Sequence, residues 1–352
     1  MLVRIILGLV VIALALAGYV GVNAARLAGV FDTLEPKLVE QCARIDIAPG
    51  TEDVTFDRAS GLAYVSADDR RASWEGEDGP GGIWRLDPAD PASLELVTVD
   101  APADFHPHGI SLWTGPDGAQ RLFVVSHPND GREVVEIFDI AADGPLSHVE
   151  SVSFPEMYSP NDLVAVGPDS FYVTNDQRHE GGFMGLLESY FAVPMTSLAY
   201  YDGESGRTVV SGLSYANGVN VSADGRHVYV AEILRRAVGV YERDPETAEL
   251  RRIARHDVGT APDNIEIGPE GDLWIGAHPR IFDFVAHAED ASQIAPSHVV
   301  RLDPETGAVE TVLVSLDGEL SASASAAVHD DRLLVGAVFD GHILSCPLEG
   351  AG

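Results

Sequence analysis

An all-β chain folded as a six-bladed propeller is predicted by three observations. A short β-type motif recurs six times, a second series follows it six times, and turns rich in Gly, Asp or Pro separate the copies. Beyond an apolar start, no Pro/Ser linker, charge block or low-complexity stretch marks a boundary in the 352 residues, so residues 27–352 read as one domain.

The first series is GLAYVS (61–66), RLFVVS (121–126), SFYVTN (170–175), HVYVAE (227–232), DLWIGA (272–277) and RLLVGA (332–337). The second comprises GIWRLDP, VVEIFDI, SLAYYDG, AVGVYER, VVRLDPE and HILSCPL. A third precedes each copy, starting near Asp53, Gly109, Asp162, Gly218, Asn264 and Ser325, at intervals of 56, 53, 56, 46 and 61 residues. Strands of about five residues joined by tight turns at this interval are what four-stranded blades require. A two-sheet sandwich supplies strands but gives no reason for six matched triplets, and only Glu180 to Val193 reads as a helix within the domain.

Residues 5–25 carry no charge and are long enough to cross a bilayer as a helix, so residues 1–26 are expected to be a signal peptide or membrane anchor. Arg4 and Arg26 flank the segment without settling its orientation. The expected location is therefore outside the cytoplasm: periplasmic, extracellular, or anchored and facing outward. The two cysteines, Cys42 and Cys346, lie near the ends of the domain and are expected to pair as one disulfide that closes the ring; the other reading is two unrelated buried thiols. A net charge of −33, from 55 acidic and 22 basic residues, excludes nucleic acid as a partner and favours cations.

In a propeller the first strand of each blade lines the central channel, so equivalent strand starts converge on one level. They read Glu52-Asp53, His108-Gly109, Asn161-Asp162, Asn217-Gly218 and Asp263-Asn264, with Ser323 and Ser325 in the last blade. Any one pair alone reads as a turn. Five at one level read as oxygen ligands for a hard divalent cation, and calcium suits them better than zinc, copper or magnesium. His108 and His127 point to one end of the channel as a candidate general-base pair; His278 holds the matching place in the fifth blade, and His106 reads as an exposed loop residue. No G-x-S-x-G elbow, H-E-x-x-H helix or P-loop offers competing chemistry.

With EDV at 52, FHPHGIS at 105, HP at 127, NDLVAVGP at 161, TND at 174, ANG at 216, DN at 263 and GAVF at 336, the chain resembles the paraoxonases over about residues 40–348. The resemblance implies two Ca2+ ions in the tunnel. A catalytic ion would be held by Glu52, Asn161, Asn217, Asp263 and Asn264, and a structural ion by Asp53, Asp162 and the backbone carbonyl of Ile110. It also implies hydrolysis of small lactones and aryl esters, with some organophosphates.

On this reading the upper ion stabilises the oxyanion while His108, supported by His127, removes a proton from water; base catalysis by Asp263 or Glu52 is the alternative. The loop Asp68–Gly82 and the stretch 177–196 are expected to shape the substrate mouth, the latter as a lid helix. Membrane association is expected through residues 5–25 and this lid. Gln177 and Arg236 stand where the animal enzymes carry histidines, which favours lactones over organophosphates. The competing functions are a noncatalytic, calcium-stabilised interaction scaffold and a gluconolactonase-like sugar lactonase.

Overall fold

The computed structural model describes residues 2–76, 81–141, 144–179 and 181–348; some side chains between residues 2 and 20 fall outside that description. Among the described residues, 24 strands form six antiparallel four-stranded sheets, arranged as the blades of a propeller. The inner strands are Asp53–Phe56, Pro107–Thr114, Pro160–Ala165, Ala216–Val221, Ala261–Ile267 and Ser323–His329.

Each sheet is sandwiched between neighbours, so its inner strands are buried on both faces, as in Pro160–Ala165, where every residue is buried. Outer strands such as Asp90–Leu96 are largely exposed. The core is accordingly a set of layers between blades. Phe123, Val125 and Ile137 of the second blade pack with Leu163, Phe171 and Val173 of the third. Tight turns join the strands, and Gly118 and Gly225 hold left-handed φ values of 83° and 70° that disfavour other side chains.

The ring closes by pairing first with last. Ala43–Asp46 runs antiparallel to His342–Pro347 and forms the outer strand of the sixth sheet. Beside this pairing, Cys42 and Cys346 form a disulfide spanning 304 residues of sequence.

Four helices stand among the described residues: α1 (Leu2–Leu27), α2 (Arg70–Trp74), α3 (Gly182–Phe191) and α4 (Ile281–Glu289). The expected helix from Glu180 to Val193 is α3, with Glu180 itself outside the described residues. The expectation of a single helix in the domain is corrected by α2 and α4. The run IFDFVAHAE of α4 is short, and its aromatics read equally as strand formers; its docking over the channel decides for helix. The end of α1 is seated on the domain, where Ile281 N–H donates to the Ala28 carbonyl (3.1 Å) and Arg236 Nη1 to that of Arg26 (3.0 Å). Among the described residues no helix is long and apolar enough to cross a membrane.

A cross-link over so long a loop restricts the unfolded chain by about 6 kcal/mol in the loop-entropy treatment. Cys42→Ser/Cys346→Ser is therefore expected to unfold at lower denaturant concentration than the parent protein, by several kcal/mol. Denaturant titrations with and without reductant check this; an unchanged midpoint would show that strand pairing alone closes the ring.

Candidate active site and cation tunnel

Pairing register explains how the tunnel presents its polar groups. In five inner strands the register slips, between Pro107 and Ile110, Pro160 and Leu163, Ala216 and Val219, Pro262 and Ile265, and Ser323 and Ala326. Two residues there oppose one on the partner strand, which kinks the chain and re-aims consecutive side chains. Those residues include the pairs His108-Gly109, Asn161-Asp162, Asn217-Gly218 and Asp263-Asn264. Gly109 and Gly218 permit the close approach of the next blade: a Cβ on Gly109 would lie 2.6 Å from Asp162 Oδ1, and one on Gly218 would lie 2.3 Å from the Asp263 carbonyl oxygen. The sixth blade contributes a brace instead of a ligand, because Ser325 Oγ donates to the Glu52 carbonyl (2.9 Å) and Ser323 Oγ to that of Ala277 (3.1 Å).

The upper level contains Glu52, Asn161, Asn217, Asp263 and Asn264, each nearly fully buried. Asn264 Nδ2 donates to Glu52 Oε1 (2.9 Å), Asn161 Nδ2 to Asp176 Oδ2 (3.3 Å), and Asp263 Oδ2 pairs with His278 Nε2 (2.7 Å). After these contacts, Glu52 Oε2, Asn161 Oδ1, Asn217 Oδ1, Asp263 Oδ1 and Asn264 Oδ1 remain buried without a hydrogen-bond partner among the described residues. Buried oxygens are rarely left so, and five of them in one layer match the acceptor set of a hard cation. Among the described residues no group of three or more His, Cys, Asp or Glu side chains could hold a metal. The donors that fit are carboxylates mixed with carboxamides.

Below them lie Asp53 and Asp162, each reaching across to the neighbouring blade. Asp53 Oδ2 accepts from Ile110 N–H (2.8 Å) and Asp162 Oδ2 from Val219 N–H (2.7 Å). Burial raises both carboxyls well above the ordinary range, and the nearby acids Glu52 and Glu266 raise them further. A divalent charge between them would remove that penalty, so the lower level also fits a cation. Ile110 meets Asp53 through its amide N–H, whereas the expectation concerned its backbone carbonyl.

Glu266 joins this end of the tunnel, its carboxyl pushed up to about 7 by burial. It was not singled out from sequence, although its place two residues after Asn264 on an inner strand puts it on the same face. The levels open into separate cavities. About 590 Å³ is lined by Asp53, Ile110, Asp162 and Glu266, and about 440 Å³ by Glu52, His108, Asn161, Asn217 and Asp263.

At the upper cavity His108 Nδ1 lies 2.9 Å from His127 Nε2, and His127 Nδ1 lies 2.6 Å from Glu133 Oε2. With Glu133 as acceptor, His127 carries its proton on Nδ1 and accepts the Nδ1–H of His108 on Nε2. His108 Nε2 then keeps its lone pair, 3.5 Å from Glu52 Oε1. Burial lowers the His108 pKa, and Arg70 and His127 push the same way, against the raising pull of Glu52. Burial opposes the charge on Glu52, while the Arg70 charge and the Asn264 amide favour it.

Glu133 was missed from sequence because it lies in a turn six residues beyond His127, with no periodic signal. His106 is corrected: it is buried, with Nδ1 2.9 Å from Asp68 Oδ1 and Nε2 3.1 Å from Asp104 Oδ1, and ties the mouth loop to the second blade.

The mouth is apolar. Trp74 from the 68–82 loop, whose residues 77–80 lie outside the described residues, faces Tyr190 of α3 and Phe282, Phe284 and Val285 of α4 around the upper cavity. The two expected segments thus do shape the mouth, though α3 contributes only Ser189 and Tyr190; α4 supplies the wall that sequence reading missed.

Comparisons with known proteins agree with this fold. The fold alone is shared with a gluconolactonase of Xanthomonas campestris (TM-score 0.56, 15% identity, 90% of this chain and 96% of that one). It is shared as well with the calcium-binding protein regucalcin of Agrobacterium tumefaciens (TM-score 0.52, 15% identity, 89% and 94%). In sequence the chain is 33% identical over 314 residues to serum paraoxonase/arylesterase 2 of Rattus norvegicus, covering 86% of this chain and 87% of that relative. It is 34% identical over 305 residues to serum paraoxonase/arylesterase 1 of Homo sapiens, covering 83% and 84%. The arylesterase family profile matches residues 75–348, and the chain belongs to that family.

Proposed function

We propose that this protein is a calcium-dependent hydrolase of lactones and aryl esters. The observation that carries the reading is the layer of five unpartnered buried oxygens beside an imidazole aligned by His127 and Glu133, on the floor of a cavity whose walls are apolar. Glu52, Asn161, Asn217, Asp263 and Asn264 would hold one calcium ion, and Asp53, Asp162 and the Ile110 carbonyl a second. Each level pairs two carboxylates with one divalent charge. Bound in the upper set, the ion supplies Lewis-acid polarisation of the ester carbonyl.

The chain's own residues do the rest. The mouth receives the apolar part of the substrate and excludes bulk water. His108 Nε2 takes a proton from the water whose oxygen adds to the carbonyl carbon, and returns it to the departing alkoxide or ring oxygen, so a lactone opens to a hydroxy acid. His127 and Glu133 hold the ring in the tautomer that leaves Nε2 free. A scaffold would have no use for an imidazole aligned by a second imidazole and a carboxylate beside the cation layer. Residues 5–25 fit a leader or anchor that takes the domain out of the cytoplasm, and the exposed Phe183, Met184, Leu186 and Phe191 of α3 fit a membrane-facing rim.

Hydrolysis of a panel of γ- and δ-lactones and phenyl acetate is expected to vanish with EDTA and return with calcium. Turnover that survives full chelation would refute the reading. Asn217→Ala should weaken calcium binding, measured by chelator competition, by more than the ~10-fold that loss of an outer-shell partner costs, and should lower turnover with it. His108→Gln should lower kcat on the order of 10²-fold or more while calcium affinity holds. Glu133→Gln is expected to cost less, about tenfold, because it leaves the base in place and loosens its orientation. An unchanged rate in His108→Gln would transfer the base role to an acid of the upper layer.

A further inference from the structure

Among the described residues, Arg70 is the one Arg or Lys that lines the upper cavity, and the proposed chemistry does not use it. It opens α2, whose start is capped by Asp69 accepting from Ala72 N–H (3.2 Å), and its side chain is only 11% exposed. One guanidinium nitrogen is held in place: Nη1 donates to the carbonyls of Gly50 and Val338, both at 3.2 Å. Gly50 makes room for it, since a Cβ there would lie 2.9 Å from Nη1. The other nitrogen, Nη2, is buried and has no hydrogen-bond partner among the described residues. The nearest acid oxygen is Glu52 Oε2 at 3.8 Å, too far for a hydrogen bond.

A guanidinium serving only as counter-charge to Glu52 would close that gap and form the bidentate pair its shape favours. Here the fork is pinned on one side and bare on the other, on the wall of the cavity that also holds His108 and Asp263. Charge balance points the same way. The carboxylates of Glu52 and Asp263 together match one divalent cation, which leaves the positive charge of Arg70 uncompensated by that layer. The remaining acid of the cavity, Asp176, is engaged by Ser159 Oγ (2.5 Å) and Asn161 Nδ2 (3.3 Å).

We propose that Arg70 is a carboxylate-binding subsite: its free Nη2 takes an oxygen of the monocarboxylate that ester or lactone hydrolysis leaves in the cavity, with the acyl chain lying against Trp74 and Phe282. This rests on the hydrolase reading for the origin of the ligand, while its test is a binding measurement that needs no turnover. Arg70 thereby sets product retention and favours acids over the corresponding alcohols.

The probe is hexanoate, with 1-hexanol as the uncharged control, titrated calorimetrically into the calcium-loaded full chain. Arg70→Met should weaken hexanoate by about tenfold or more, the loss expected for one charge-assisted hydrogen bond, and leave hexanol unchanged. Calcium affinity, followed by chelator competition, should hold or rise, because the charge removed has the same sign as the ion. Arg70→Lys keeps a positive charge beside Glu52 without the fork; it should bind calcium normally and hexanoate more weakly than the parent protein, and it serves if the Met variant does not fold. Equal hexanoate affinity in the parent and the variants would overturn the subsite. So would calcium affinity falling in step with hexanoate, which would make Arg70 a support for Glu52 alone. If hexanoate binds as expected but no ester or lactone is turned over, the hydrolase reading fails and the subsite stands.

Discussion

Placing several carboxyl groups on the axis of a protein is the constraint around which this structure is organised. Glu52 and Asp263 in one layer, and Asp53 and Asp162 in the next, are each almost fully buried. Charges removed from water at such separations repel by amounts that packing does not offset unless opposite charge or hydrogen-bond donors answer them. The chain answers in part with its own groups. Backbone amides of adjoining blades cap Asp53 and Asp162, a carboxamide caps Glu52, and His278 meets Asp263. What is left over is a layer of bare oxygens and two acids with raised pKa values, a deficit with the charge and hardness of a divalent metal ion.

The propeller makes such a concentration feasible because no single strand carries it. Each blade delivers one or two polar groups, and in five of the six a register slip turns them towards the axis at the point where neighbouring inner strands touch. The glycines at 109 and 218 bring the next blade within contact distance. The acids therefore also join the blades: Asp53 ties the first to the second, and Asp162 ties the third to the fourth. Site and ring are one assembly, and the disulfide with its neighbouring strand pairing keeps the circle closed against the repulsion at its centre.

Polarity is then divided by depth. The floor of the upper cavity is charged and carries the imidazole, whereas its walls come from loops and helices between strands and are aromatic or aliphatic. A substrate with a polar ester head and an apolar tail meets complementary surfaces in that order. The lower cavity is walled by residues of the inner strands and the turns that follow them, Phe56 and Trp113 among them, and opens onto the other acid layer.

The sequence by itself determined the repeat and therefore the blade number, the residues facing the axis, and the cysteine pair. These are local or periodic properties: alternation of two marks a strand, Gly and Asp mark a turn, and equivalent positions in a ring must converge. The layer of buried oxygens was legible for the same reason, since equivalent positions on successive inner strands carry it. Tertiary structure alone decided the contacts between elements without a common period. Glu133 reaches His127 through a turn, Arg70 is pinned by carbonyls 20 and 268 residues away, and α4 folds over the mouth although its sequence reads equally as strand. It also placed His106, which looks like a loop residue in sequence, in a buried pair with Asp68. Which side chains stay unpartnered depends on the summed geometry of six blades, and no local pattern records that sum.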